Sequence, residues 1–181
     1  VGGGGYNAID GAAIIVNGNI ITDPDDIDYF IKKNGSISVS FTFIQTKKQP
    51  KFNGAQIVNF LAGIKNFFNK KSLLPENESI KELREIKDRI YKNGMSLESP
   101  PSLDLFYVTI GEWVDPDHIN GLINQDLNHL ESQGIFCDRP HFQCVDANRL
   151  KQMYRELRGR SLKEIEFPAI VALPEINGVR Q

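Results

Sequence analysis

Eleven residues, Ile37-Ser-Val-Ser-Phe-Thr-Phe-Ile-Gln-Thr-Lys47, alternate with a period of two and constrain the fold more than any other part of the chain. A helix cannot use this period, whereas a strand places residues two apart on one face. One row carries Ile37, Val39, Phe41 and Phe43, then Gln45 and Lys47. The other carries Ser38, Ser40, Thr42, Ile44 and Thr46. The apolar row therefore ends in two polar residues on the side meant for packing. A lysine is rarely buried without a partner. Either the sheet ends there and both side chains reach solvent, or something anionic meets them.

The surrounding sequence supplies partners for this strand. Ala8 to Val16 reads as a strand, Asn17-Gly18 as a hairpin turn and Asn19 to Thr22 as the return. Asp23-Pro24 opens a helix through Lys33, with Asn34-Gly35 closing it. Asn53 caps a helix to about Asn69, in which Ile57, Phe60, Leu61, Ile64, Phe67 and Phe68 recur at helical spacing. Glu78 to Lys92 forms a further helix that buries Ile80, Leu83, Ile86 and Ile90. After the Pro100-Pro101 break, Leu103 to Ile110 is nearly continuous in apolar residues, as in a strand covered on both faces. Asp115-Pro116 starts a helix that Gly134 ends, His141 to Val145 is a strand, and Asp146 caps a helix containing Leu150, Met153, Tyr154 and Leu157. Glu164 to Leu173 is expected as a final strand. Strands and helices alternate after the first hairpin, so the expectation is an α/β domain with a mixed sheet and helices on both sides. The Leu73–Pro101 region is the best candidate for a boundary, between residues 1–75 and an α/β continuation or extension over 76–181.

Composition narrows the class. The chain has 181 residues, 40 % hydrophobic and 24 % charged, in keeping with a globular protein. No apolar run approaches the roughly 20 residues of a membrane span, and Val1 to Gly5 has neither the basic nor the apolar region of a signal peptide. Two cysteines do not make a disulfide framework in a chain of this length. A cytoplasmic location is expected. The net charge is −2, but Tyr29 to Pro75 contains no acidic residue and holds Lys32, Lys33, Lys47, Lys48, Lys51, Lys65, Lys70 and Lys71. That stretch reads either as a polyanion-binding surface or as a solvated lysine-rich face.

Asp10 shares a face with Ala12, Ile14 and Val16, and it too is polar at the end of an apolar row. If the two strands are antiparallel neighbours, Asp10 meets Gln45 and Lys47 at one end of the sheet. Phosphodiester hydrolysis uses such a cluster. A carboxylate binds Mg²⁺ or Mn²⁺, the metal activates water and neutralises phosphate charge, and a lysine stabilises developing negative charge. The amide oxygen of Gln45 and the backbone carbonyl of Thr46 are further oxygen ligands. The other reading makes Asp10 a turn cap, with Gln45 and Lys47 ordinary strand-end residues.

Gly2-Gly-Gly-Gly-Tyr-Asn-Ala-Ile-Asp-Gly-Ala-Ala-Ile-Ile-Val16 and Phe43-Ile-Gln-Thr-Lys-Lys48 resemble the AIPR family, the abortive infection phage resistance proteins of bacteria. The resemblance continues through Asn59 to Phe68, Leu105 to Gly111 and Phe142 to Ala147. The N-terminal part of that family is similar to Mrr-type restriction endonucleases of the PD-(D/E)xK class, which use Asp and Gln-x-Lys. The resemblance implies a restriction-endonuclease-like fold, Asp10, Gln45 and Lys47 as catalytic residues, DNA as substrate and a role in phage defence. The family pattern also has an acidic residue on a helix before the first strand, and its members are longer, so the chain is expected to be part of a longer protein with that residue upstream. Nuclease-fold enzymes often cut as dimers, which makes a homodimer an expectation by analogy.

Lys48, Lys51 and Gln56 are the expected nucleic-acid contacts beside the motif; the plainer reading of Gln56 is a polar residue in the first turn of a helix. Asn7 lies near Asp10 but reads as a loop residue. The glycine run precedes a strand instead of following one, so it reads as a lead-in loop and not as a phosphate cradle. His118, His129 and His141 lack metal-ligand spacing. Cys137 and Cys144 read as a loop thiol and a core thiol, and Glu112-Trp113 as a surface feature or an interface anchor. Beside the enzyme reading stand a catalytically inactive module of the same fold that binds nucleic acid or a protein, and a sensor of infection. A cluster of Asp10, Gln45 and Lys47 beside a groove favours the enzyme; Lys47 held in a salt bridge favours the others.

Overall fold

The computed structural model describes residues 8–114 and 116–160. Five strands form one mixed sheet: β1 (Gly11–Val16), β2 (Asn19–Ile21), β3 (Val39–Lys47), β4 (Ser102–Thr109) and β5 (His141–Val145), in the order β2-β1-β3-β4-β5. Five α-helices connect or follow them: α1 (Asp25–Asn34), α2 (Gly54–Phe68), α3 (Glu78–Lys92), α4 (Asp117–Glu131) and α5 (Ala147–Arg160). The expected final strand at 164–173 lies outside the described residues.

The hairpin forms because Asn17 and Gly18 both take positive φ, 50° and 79°, the geometry of a two-residue turn that matches strand twist. The Asn17 side chain then accepts a hydrogen bond from Ser38 N at 2.8 Å, which ties the turn to the start of β3. β1 pairs antiparallel with β3, with Gly11 opposite Ile44. β3, β4 and β5 are parallel, and their connections run through helices, as parallel pairs require. Asn53 and Asn77 cap α2 and α3, accepting from Gln56 N at 3.2 Å and Ile80 N at 3.0 Å.

The core lies between the sheet and α1–α4. Phe41 stacks against Phe68 of α2 and Tyr91 of α3, Phe43 against Phe67, and Phe60 against Phe142 of β5. Both spans on either side of residue 75 contribute strands to the one sheet and residues to the one core. Among the described residues, the coverage of both sheet faces expected from the apolar run at 103–110 is complete on one face and partial on the other. β4 alternates between buried and half-buried positions: Leu103, Leu105 and Tyr107 face the helices, whereas Phe106 and Val108 lie half-buried on the opposite face with Ile44 and Thr42. Among the described residues no helix is long and apolar enough to cross a membrane.

Candidate functional site

Because β1 runs against β3, the start of β1 meets the end of β3. Asp10 N donates to Ile44 O at 3.0 Å, one step beyond the Gly11–Ile44 pair. The Asp10 carboxylate then receives three hydrogen bonds on Oδ2: from Gln45 Nε2 at 2.6 Å, Thr46 N at 2.8 Å and Thr46 Oγ1 at 2.8 Å. Asp10 itself is exposed, so the cluster opens to solvent on one side.

Gln45 lies opposite Asp10 in the strand pairing and is 0 % exposed. Its Nε2 bridges Asp10 Oδ2 and the Thr46 carbonyl, 3.1 Å away. Its Oε1 is buried and has no hydrogen-bond partner among the described residues. An unpartnered buried polar atom costs about 1–3 kcal/mol. The two amide ends differ only in which atom is assigned as nitrogen. Turned over, the amide would bring Oε1 against Asp10 Oδ2 and Thr46 O. Three oxygens so placed repel one another unless a cation lies among them. In that orientation Asp10 Oδ2, Gln45 Oε1 and Thr46 O are the oxygens that could hold a hard divalent ion. No group of three or more His, Cys, Asp or Glu side chains suited to a metal exists among the described residues, and Asp10 supplies the carboxylate of this cluster.

Lys47 follows Gln45 on the same row, half-buried, beside Thr109 of β4. It forms no ion pair with a described residue. Lys48 and Lys51 are exposed on the loop that follows. The remaining lysines of the basic stretch do not join them. Lys65 is paired with Asp126 at 2.6 Å, Lys32 and Lys33 lie in the last turn of α1, and Lys70 and Lys71 follow the end of α2. Of the eight lysines of the stretch, Lys47, Lys48 and Lys51 stand at or just after the end of β3.

Tyr107 of β4 is the register partner of Gln45 and shares its face. Its hydroxyl donates to Gln56 Oε1 at 3.1 Å, which fixes the amide that sequence reasoning had left free. Burial, with the charges of Cys144 and Asp10, pushes the Tyr107 hydroxyl up to about 12, so it stays a donor. Tyr107 was not identified from the sequence, since it sits within an apolar run and its partner lies 51 positions away. The signal was indirect: a phenol in a buried strand needs a polar neighbour.

The loops after β3 and β4 meet above this cluster. A Cβ at Gly111 would overlap the Pro50 carbonyl, so only glycine allows this approach of the two backbones. Of the histidines, His118 and His129 are exposed on α4, and His141 faces Asp104 at 3.3 Å. Cys137 is exposed, Cys144 half-buried, and both are free thiols.

No family model, no curated protein and no solved structure matches this chain.

Proposed function

We propose that this protein is a metal-dependent nuclease with a restriction-endonuclease-like fold that cleaves DNA in the bacterial cytoplasm as part of abortive infection, the reading carried by the buried Gln45 amide, which meets the Asp10 carboxylate and the Thr46 carbonyl through one end and has no partner among the described residues at the other. Asp10, Gln45 and the Thr46 carbonyl would hold Mg²⁺ or Mn²⁺. Such an ion, when bound, lowers the pKa of a coordinated water and neutralises phosphate charge. Thr46 fixes the Asp10 carboxylate through two donors, and the mixed parallel and antiparallel pairing sets its distance from Gln45. Lys47, without a competing carboxylate among the described residues, offers its ammonium to charge developing on the phosphate. Gln56, held by Tyr107, presents its amide nitrogen as a neutral donor to the backbone of the bound strand. Lys48 and Lys51 attract that strand.

The second reading is a non-catalytic module that binds nucleic acid or a protein and senses infection. The observation in its favour is that the Gln45 amide already satisfies Asp10 Oδ2 without a metal. Plasmid cleavage in Mg²⁺ or Mn²⁺, beside Asp10→Ala and Lys47→Ala, separates the two. Nuclease action gives metal-dependent cutting that falls at least about 100-fold in each variant, the scale of losing one electrostatic contact to the transition state. DNA binding without cutting, unchanged by either variant, favours the binding module.

A further inference from the structure

The cleft beside Trp113 takes no part in the chemistry assigned above. It encloses about 390 Å³ at the carboxyl ends of β3 and β4, between the loops that follow them. Phe52 and Trp113 form its aromatic wall, with ring centroids 4.7 Å apart at 70°. Lys51, Glu112 and His118 stand at the rim. Trp113 is only half-buried, and its other side borders a second cavity of about 220 Å³ lined by Phe142 and Cys144. The indole is thus a partition with space on both sides. The cleft is held in shape from two directions. Gly111 sits against the Pro50 carbonyl, and Trp113 N donates to Asp146 Oδ2 at 3.3 Å.

The cleft is linked to the Asp10 cluster through packed side chains. The Phe52 ring lies 6.0 Å from Tyr107, which is the strand neighbour of Gln45. Lys47, Lys48 and Lys51 follow the same loop from the cluster to the cleft. A phosphate backbone tracking these lysines would carry each base past Phe52 and Trp113. Aromatic faces stack on any base, and a carboxylate and an imidazole at the rim can meet the donors and acceptors of a base edge.

We propose that this cleft binds an unpaired nucleobase adjacent to the cleavage position, so that the substrate is single-stranded DNA or DNA with an extruded nucleotide. A base within an intact duplex is stacked on its neighbours and cannot enter. The inference rests on the nuclease reading for its nucleic-acid ligand, and it adds the strandedness of that ligand.

Trp113 is the chain's single tryptophan, so tryptophan fluorescence reports on the surroundings of this one residue. The experiment compares a short labelled oligothymidine with an oligonucleotide of equal length whose sites are all abasic, in EDTA. Binding is followed by anisotropy and stacking by tryptophan quenching. The expected result is that both bind, that only the base-bearing strand quenches Trp113, and that it binds about 5- to 100-fold more tightly, the range for stacking one base. Trp113→Ala should abolish that preference and Trp113→Phe should retain much of it, with thermal melts confirming that both variants fold. The wild-type quench depends on no variant. Equal binding of the two strands with no quench overturns the base pocket and leaves the nucleic-acid reading standing. Binding of neither strand overturns both.

Discussion

Two polar clusters border the same core, one at the end of the sheet and one between helices α2 and α3, and they differ in how completely their atoms are answered. Around Arg84, at the far end of α2, every group finds a partner. Its guanidinium donates to the carbonyls of Asn66, Phe67 and Asn69, each at 2.9 Å, and to both oxygens of Glu76. Lys87 adds a bond to Phe67 O and an ion pair with Asp88. The Asn66 amide holds Ser72, Glu76 and the backbone of Leu73 and Leu74. The last carbonyls of a helix lack partners within it, and this cluster supplies them while pinning the loop that leads to α3. Around Gln45 the same kind of buried side chain keeps an oxygen without a partner among the described residues. A polar cluster that serves only the fold closes on itself. One that stays open at a buried atom, next to an exposed carboxylate, is where the proposed cation would bind.

That contrast can be tested by making apolar substitutions in each cluster. The largest effect is expected at Arg84→Leu. It removes the charge partner of Glu76 and the Arg84 donor to the Asn69 carbonyl, and should cost about 3–5 kcal/mol, as removal of one partner from a buried ion pair does; urea unfolding of the variant measures it. Gln45→Met should behave in the opposite way. It removes the unpartnered oxygen, so metal-free stability should be unchanged or raised by up to about 2 kcal/mol, while cleavage is lost. A Gln45→Met variant as unstable as Arg84→Leu would mean that Gln45 is part of the framework.

The smallest effect concerns the loop that carries Trp113. Asp146 caps α5 through Arg149 N at 2.7 Å and also accepts from Trp113 N. The hydrogen bond from Arg149 N holds its carboxyl below the usual carboxylate range, with burial opposing it and the bond from Trp113 N adding to it. A depressed folded value means that the stabilisation is complete above the ordinary carboxylate pKa. It is lost as pH falls through the folded value. Helical circular dichroism should therefore show an acid-side loss in the wild type that is reduced in Asp146→Asn, since Asn caps as well as Asp and does not titrate.

The sequence made the site visible for a simple reason: Asp10, Gln45 and Lys47 interrupt apolar rows, and an interruption shows without knowledge of the partner strand. The elements with strong local signals were legible too. The α3 helix runs from Glu78 to Lys92 and β5 from His141 to Val145 as the periodicity indicates. Two features were not legible because they depend on register and layer. Phe106 and Val108 belong to an apolar run, and nothing local distinguishes a covered face from an open one. Tyr107 acquires its role only when β4 slides into place beside β3. The lysine-rich stretch stayed open to two readings for the same reason, since its lysines fall on α1, β3, α2 and the loops that follow β3 and α2.

The most direct test is a thermal melt of the protein against increasing Mg²⁺ or Mn²⁺, in parallel with Asp10→Ala. A cation held by Asp10, Gln45 and the Thr46 carbonyl should raise the midpoint as the folded state binds metal, by a stabilisation of about 2.7 kcal/mol at a hundred times the dissociation constant. Asp10→Ala should remove that rise. A midpoint indifferent to either metal, or a rise of equal size in Asp10→Ala, would contradict a cation site at Gln45.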